Sequence, residues 1–134
     1  MLQLGDVTYL VRDLDEAIAF FVEALGFEVR SDEVRSDEVR APEGQPQRRR
    51  VVVGPDGGGA GFVLKVAPES DALGRQAGGG VAFFLRTDDF AAQHARMLAH
   101  RVTFREAPRH EPYGTVAVFE DPYGQPWDLI EPSA

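Results

Sequence analysis

The sequence predicts an α+β fold in which two βαβββ modules form a curved mixed sheet around a cleft, with the helices on the outer face. The chain has 134 residues, which fits one compact domain. Its two halves repeat the same order of elements, and short apolar runs alternate with Gly- and Pro-containing turns in both. We therefore expect a single domain over 1–134, with a first module of about 1–68, a linker of about 69–79 and a second module of about 80–134.

The first module opens with a β-branched and aromatic run that predicts a strand over 6–11. Asp13 fits a helix N-cap, and Glu16 completes a capping-box pattern three residues later. Apolar residues at helical spacing then predict a helix that ends at Gly26.

Residues 27–40 are predicted as strand or loop and contain the segment SDEVR twice in tandem. A period of five fits neither a strand nor a helix, so we expect one copy to bulge into solvent. A loop is expected over 42–46. The module closes with strands over 48–53 and 61–66, which flank a Gly-rich turn and predict a hairpin.

The second module repeats this pattern. Asp89 is predicted to cap a helix whose apolar face carries Phe90, His94, Met97 and Leu98. His94 is interpreted as a core or interface residue, because no acidic residue is spaced to orient it as a ligand. The strands are predicted over 81–85, 102–104, 115–119 and 126–130, with a loop over 108–112.

The composition of the chain excludes several kinds of site and partner. The chain has no Cys, which excludes a disulfide framework, a thiol nucleophile and a thiolate metal site. A net charge of −8 opposes binding to a nucleic-acid backbone. No apolar run approaches the roughly 18 residues of a membrane span, and no apolar signal segment opens the chain. We expect a cytoplasmic protein with no nucleic-acid or membrane partner.

Two stretches carry a family resemblance. Residues 7–27 contain VTYLVRDLDEAIAFF and end in ALGF, and residues 111–129 contain EPYGT and FEDPYGQPWDL. Both are similar to signatures of the vicinal oxygen chelate superfamily, which includes glyoxalases, bleomycin-resistance proteins and ring-cleaving dioxygenases. The resemblance covers nearly the whole chain apart from residues 28–47. It implies the βαβββ fold, and this scaffold hosts several chemistries as well as pure binders.

The resemblance implies one divalent metal in the cleft, held by His, Gln or Glu on the first and last strand of each module. Carried over by position, these ligands fall on Asp6, about Leu64, Gly80 and Asp128. Leu64 is placed by matching the Val-Ala-Pro that follows it to the Ile-Glu-Pro near the end of the chain. Because a transition-metal site normally has at least three protein ligands, we expect no metal and no other cofactor. A metal that did bind would be held weakly by Asp6 and Asp128.

Strand alternation places Asp6 on the cleft side of the first strand, and the same logic turns Asp128 into the cleft. Two carboxylates that converge in an apolar cleft make an acid/base pair. The alternative is that each carboxylate pairs with an Arg or meets water. The residues expected to line the ligand site are Thr8, Leu10, Arg49, Leu64, Gly80, Phe84, Tyr113 and Ile130.

Two of these residues have a second interpretation. Arg49 belongs to a run of three Arg and can clamp a carboxylate or phosphate, or it can keep an edge strand soluble. Tyr113 lies in a Pro-Tyr-Gly loop, which borders the pocket in the resemblance. It can stack on a ligand or pack on its own sheet.

Three functions remain open. The first is a glyoxalase/bleomycin-resistance-like protein that binds a small organic ligand in the cleft without chemistry. The second is a glyoxalase-type lyase or isomerase that uses Asp6 and Asp128 with a metal, or one Asp as a general base without it. The third is a non-catalytic dimeric accessory domain. We favour the first, because binding needs only the cleft, and we expect a small-molecule ligand and a homodimer.

Overall fold

The computed structural model describes residues 1–34 and 49–134, and within these ranges the chain forms two helices and nine strands. In chain order these are β1 (Asp6–Val11), α1 (Leu14–Ala19) with a π-helical continuation (Phe20–Ala24), β2 (Glu28–Val34), β3 (Arg49–Gly54), β4 (Gly61–Val66), β5 (Phe83–Arg86), α2 (Phe90–Ala99), β6 (Thr103–Phe104), β7 (Arg109–Glu111), β8 (Gly114–Glu120) and β9 (Pro126–Pro132).

The predicted first helix is confirmed at both ends. The Asp13 side chain accepts a hydrogen bond from the Glu16 backbone N–H at 2.8 Å, as a capping residue should. Gly26 ends the helix with φ +84°, a left-handed conformation that favours glycine. The π-helical last turn, in which the Leu25 N–H donates to the Phe20 carbonyl at 3.2 Å, was not predicted.

The predicted second helix is also confirmed, and its N-cap Asp89 accepts from the Ala92 N–H at 3.0 Å. The His94 ring packs beside Phe90 and Phe104, with ring centroids 5.5 and 4.5 Å away. Leu98 was expected on the apolar face but is exposed, because the buried stripe follows Phe90, His94 and Met97 and leaves Leu98 at its margin. Neither helix in these two ranges is long and apolar enough to cross a membrane.

The strands form two open mixed sheets, which confirms the predicted pair of βαβββ modules. The first sheet has the order β1-β4-β3-β2 and the second has the order β5-β9-β8-β6. In each sheet the first and last strands of the module pair in parallel and the other pairs are antiparallel. The loop expected over 108–112 is wrong, because Arg109–Glu111 forms β7 and pairs with β8 across a tight turn.

The first SDEVR copy begins inside β2, just after a register shift between Val29 and Ser31 against β3. Such a shift marks an extra residue in one strand, here Arg30. The second copy, at 36–40, and the loop predicted over 42–46 lie outside the described residues.

One aromatic cluster joins the two sheets. The rings of Tyr9, Phe62, Phe83 and Trp127 come from β1, β4, β5 and β9, and their centroids lie 4.7–5.8 Å apart. The helices pack on the same side, so the helix-facing sides of both sheets contribute to a single core.

We call the side of each sheet that faces away from this cluster its open face. Strand alternation and register assign residues to it. The first open face carries Asp6, Thr8, Leu10, Arg50, Val63 and Lys65. The second open face carries Phe84, Val118, Asp128 and Ile130.

Candidate functional site

The first open face carries three of the predicted site residues. Asp6, Thr8 and Leu10 alternate with the buried Tyr9 and Val11, as the sequence pattern predicts. The Asp6 carboxylate lies 3.7 Å from the guanidinium of Arg50, which shares this face. The structure therefore gives Asp6 the ion pair that sequence analysis held open as the alternative to catalysis.

Leu64 is not on the open face. It is the register partner of Tyr9, so both side chains point into the core, and Leu64 is only 4% exposed. The open face is instead taken by Lys65, the register partner of Leu10. A shift of one residue in the predicted alignment explains the error, since it moves a side chain to the opposite side of the sheet.

Arg49 also lies away from the open face. Its guanidinium donates to Asp32 on β2 at 2.6 and 2.8 Å and to Asp15 on α1 at 3.0 Å. These ion pairs lower the pKa of Asp32, chiefly through the hydrogen bonds from Arg49. Arg49 thus connects β3 to β2 and to α1. Its predicted position as a clamp for a ligand is therefore wrong. Its neighbour Arg50 takes the open face, and Arg48 lies outside the described residues.

The second open face has an exposed aromatic ring on its edge strand β5. Phe84 is 65% exposed although it lies in a strand, and its register partner is Asp128. Ile130 lies on the same face and is half-buried. An exposed phenyl ring beside a carboxylate and an aliphatic side chain is a surface that can hold an apolar or aromatic group.

Asp128 is half-buried, and burial raises the pKa of its carboxyl. Arg109 opposes this shift and Glu106 adds to it. Arg109 itself donates to Glu106 at 2.6 Å and to Glu111 at 2.9 Å, so its charge is already shared between two carboxylates. Asp128 therefore has different neighbours from Asp6, and the convergence of the two carboxylates remains a prediction.

Gly80 and Tyr113 lie at the edges of the second sheet. Gly80 precedes β5, and its carbonyl accepts from the Gln125 side chain at 3.3 Å. Tyr113 occupies the turn between β7 and β8 and is 54% exposed, with its carbonyl bound to the Ser133 N–H at 2.9 Å. Tyr113 is thus held by its backbone and free to contact solvent with its ring.

Among the described residues, the positions that the resemblance assigns to metal ligands do not make up a ligand set for a divalent metal. In 1–34 and 49–134 no group of three or more His, Asp or Glu side chains lies close enough to hold an ion. The sheet register adds a second argument. Leu10 and Phe84 occupy matching places in the two modules, and their partners are Lys65 and Asp128. The position equivalent to Asp128 therefore carries an ammonium group, which repels a cation.

The chain has cavities elsewhere on its surface. One of about 610 Å³ lies between Gly26, the β3–β4 turn and the start of α2. Another of about 520 Å³ lies beside β7 and the end of β9. Neither is lined by Asp6 or Asp128.

Sequence analysis missed a buried polar network between the two halves of the chain. We call this contact the seam, and it joins Tyr9 and Leu10 in β1 to Gln76, Asp121 and Gln125. Neither Asp121 nor Gln125 was singled out, yet both are buried. The sequence did contain a signal for this network. Gln125 directly precedes Pro126 and Trp127, which are buried, and a Gln in such a place needs hydrogen-bond partners.

The comparisons with known proteins agree with this geometry. The model of the Glyoxalase/Bleomycin resistance protein/Dioxygenase superfamily matches residues 3–129. An uncharacterized protein of Shewanella frigidimarina (strain NCIMB 400) is 41% identical over an alignment of length 129, and the match covers 93% of this chain and 90% of that protein.

Two solved structures have the same fold. TnmS3, an antibiotic binding protein from Streptomyces sp. CB03234, has a TM-score of 0.73 at 27% identity, and covers 99% of this chain and 98% of its own. UcmS2 has a TM-score of 0.75 at 31% identity, and the match covers 98% of both chains. The family match spans nearly all of the sequence, and the chain therefore belongs to the Glyoxalase/Bleomycin resistance protein/Dioxygenase superfamily.

Proposed function

We propose that this protein binds a small organic molecule on the open faces of its sheets, and that it does so without a resident metal. Asp6, Thr8 and Leu10 contribute from the first face and Phe84, Asp128 and Ile130 from the second. The observation that carries the proposal is Lys65, because it occupies the strand position at which the first module would need a metal ligand. An ammonium group removes a ligand and adds a repulsive charge at once.

The second open face supports binding rather than metal chemistry. Phe84 gives a ligand an exposed π-face, and Asp128 beside it gives a hydrogen-bond acceptor. The similarity to TnmS3, an antibiotic binding protein, agrees with a ligand of drug-like size. The chain's net charge of −8 favours a cationic ligand, although charge acts more on encounter than on affinity.

A homodimer completes this proposal. Within one chain the helix-facing sides of both sheets share one core, which leaves the open faces outside it. A second copy that covers these faces would exclude water from the ligand and bury Phe84. We therefore expect a dimer in solution. We also expect the amount of bound ligand at saturation to follow the concentration of dimers in which a second copy covers the open faces.

The metal-free part is tested by elemental analysis of protein purified without chelator and dialysed against Zn²⁺, Ni²⁺ or Mn²⁺. We expect much less than one ion per chain. A stoichiometric ion that disappears in Asp128→Ala would overturn the proposal and favour a metal-dependent lyase or isomerase. Lys65→Glu is the matched variant, since it exchanges the ammonium group for a third carboxylate and should raise metal uptake.

The binding part is tested by calorimetric titration and thermal shift with bleomycin and a panel of small aromatic cations. We expect a compound that raises Tm and whose Kd weakens at least about 10-fold in Phe84→Ala, or about 1.4 kcal/mol. Leu98→Ala removes an exposed apolar side chain from α2, outside both faces, and should bind like the wild type. Equal losses in the two variants, or no binding by any compound, would contradict the proposal and favour an accessory role.

A further inference from the structure

The amino-acid sequence of β2 occurs twice in the chain. β2 (Glu28–Val34) has the sequence EVRSDEV, and residues 33–39 have the same seven letters. The two copies share Glu33 and Val34, so the tandem SDEVR segments belong to a longer repeat with a period of five. A strand that moved by five residues against β3 would therefore present the same side chains at the same positions.

The first contact that holds β2 in its register is made by Arg30. Its guanidinium donates to the carbonyls of Gly59 and Pro55 at 2.6 and 3.0 Å, and so connects β2 to the turn between β3 and β4. The guanidinium lies over Gly54, where an added Cβ would collide with it. Arg35 follows the same Glu-Val and precedes the same Ser-Asp as Arg30 does. A strand formed by the second copy would thus supply an arginine for this place.

The second contact is the ion pair between β2 and β3. The Asp32 carboxylate accepts from the Arg49 guanidinium at 2.6 and 2.8 Å, and Asp37 is the counterpart of Asp32 in the second copy. A buried apolar side chain would normally fix the register, because a slip would expose it. β2 has none, since its two apolar residues, Val29 and Val34, are 44% and 58% exposed.

The two registers differ in the connections on either side of the strand. Phe27 is buried, its ring stacks on Phe21 at 5.3 Å, and its N–H donates to the Phe21 carbonyl at 2.8 Å, so the chain leaves the helix at a fixed point. In the observed register β2 follows Phe27 directly and residues 35–48 lead to β3. In the second register residues 28–32 would form a new loop and residues 40–48 would lead to β3. Loop closure depends weakly on length, but a new loop adds a cost, so the observed register should be the major one.

We propose that β2 is a register switch, which pairs with β3 through residues 28–34 in its major state and through residues 33–39 in a minor state. The change moves residues 28–32 out of the sheet to a position directly after Phe27. Phe27 and the Pro55 turn both line the cavity of about 610 Å³. The register therefore sets how much of the chain lies at the edge of that cavity.

The test uses pairs of introduced cysteines, because the chain has none of its own. Val29→Cys with Val53→Cys reports the observed register, in which these two residues are partners. Val34→Cys with Val53→Cys reports the second register. In the observed register Val34 is the partner of Arg49, which lies about 13 Å along β3 from Val53 and is too far away for a disulfide. We expect both pairs to cross-link on mild oxidation, the first pair faster.

Glu33→Cys with Val53→Cys is the matched control for random opening of the strand. Glu33 is next to Val34, but alternation puts its side chain on the opposite side of the sheet from Val53 in both registers. We expect the Val34 pair to oxidise at least about 10-fold faster than this control. Asp37→Lys replaces the second copy's partner for Arg49 with a like charge, so it should slow the Val34 pair to the control rate and leave the Val29 pair unchanged.

A measurement on the unsubstituted protein keeps the proposal testable if Val53→Cys does not fold. The methyl groups of Val34 change partner between the registers, so relaxation-dispersion and saturation-transfer NMR should detect their exchange with a minor state. Val118 in the second sheet is the control and should show none, and Asp37→Lys should remove the exchange at Val34. A Val34 pair that oxidises no faster than the Glu33 control, or exchange at Val34 that is absent or insensitive to Asp37→Lys, would overturn the register switch.

Discussion

Arg96 offers a direct measure of how much the contact between the halves stabilises the fold. It lies on α2, and its guanidinium donates to the carbonyls of Glu23 and Val22 at 3.0 and 3.1 Å. These carbonyls end the first helix, where backbone acceptors begin to run out of helical partners, although the Val22 carbonyl also accepts from the Gly26 N–H at 3.1 Å. A cation at a helix C-terminus also interacts favourably with the helix dipole. Arg96→Met keeps most of the aliphatic stem and removes both effects.

The magnitude follows from these contacts. Two hydrogen bonds at about 1 kcal/mol each and a dipole interaction of about 0.5 kcal/mol give an upper value near 2.5 kcal/mol. Arg96 is exposed, so water can replace part of this, and we expect a loss of about 1–2 kcal/mol. For 134 residues the entropy of unfolding is about 0.28 kcal/mol/K, so Tm should fall by about 4–7 °C.

Thermal and urea unfolding followed by circular dichroism would measure this change. Arg75→Met is the matched control, because the Arg75 side chain makes no hydrogen bond to a residue in 1–34 or 49–134 and should shift Tm by less than 1 °C or so. Arg96→Lys should fall between the wild type and Arg96→Met, since one ammonium group cannot replace the planar fork. Equal Tm values for the Arg96→Met and Arg75→Met proteins would refute the reasoning.

Three further predictions concern the seam. Gly74 and Gly78 have similar backbone conformations, with φ +73° and +68°. A Cβ added at Gly74 would lie 2.1 Å from the Tyr123 carbonyl oxygen, whereas a Cβ added at Gly78 would meet nothing within 4 Å. Urea unfolding should show a loss of about 1 kcal/mol for Gly78→Ala and at least about 3 kcal/mol for Gly74→Ala, and similar losses would contradict the close approach. The Tyr123 hydroxyl is buried without a partner among the described residues, so Tyr123→Phe should leave the free energy of unfolding unchanged or raise it. The Tyr9 hydroxyl donates to Asp121, so Tyr9→Phe should lower the free energy of unfolding by about 1–2 kcal/mol at pH 7. Because folding raises the pKa of Asp121 to about 6, the free energy of unfolding should fall by up to about 3 kcal/mol from pH 4 to pH 7 in the wild type but not in Asp121→Asn.

Local hydrogen bonds explain why the element boundaries were predictable. The N-caps at Asp13 and Asp89 each accept from a backbone N–H three residues ahead, so a few residues of sequence contain the whole interaction. β7 was missed for the opposite reason. Its three residues are polar and flanked by prolines, and they become a strand only because β8 lies beside them.

The candidate site was less predictable because it depends on register. Asp6 could be assigned to the open face from alternation within its own strand. Leu64 could not, since its assignment required an alignment between distant strands, and a slip of one residue changes the side of the sheet. The ion pairs of Arg49 with Asp15 and Asp32 likewise depend on where β2 and α1 lie relative to β3.

The two sides of the repeated module differ because packing constrains only one of them. Tyr9 and Phe83 occupy matching places in β1 and β5, and both rings pack in the shared cluster at 5.5 Å. On the open faces the matching pair of partners is Lys65 and Asp128, which carry opposite charges. The core side must fill one common volume, so aromatic residues recur there. The open side has no such requirement within one chain, so its side chains can differ between the modules without loss of the fold. Tests of function should therefore target the residues of that face.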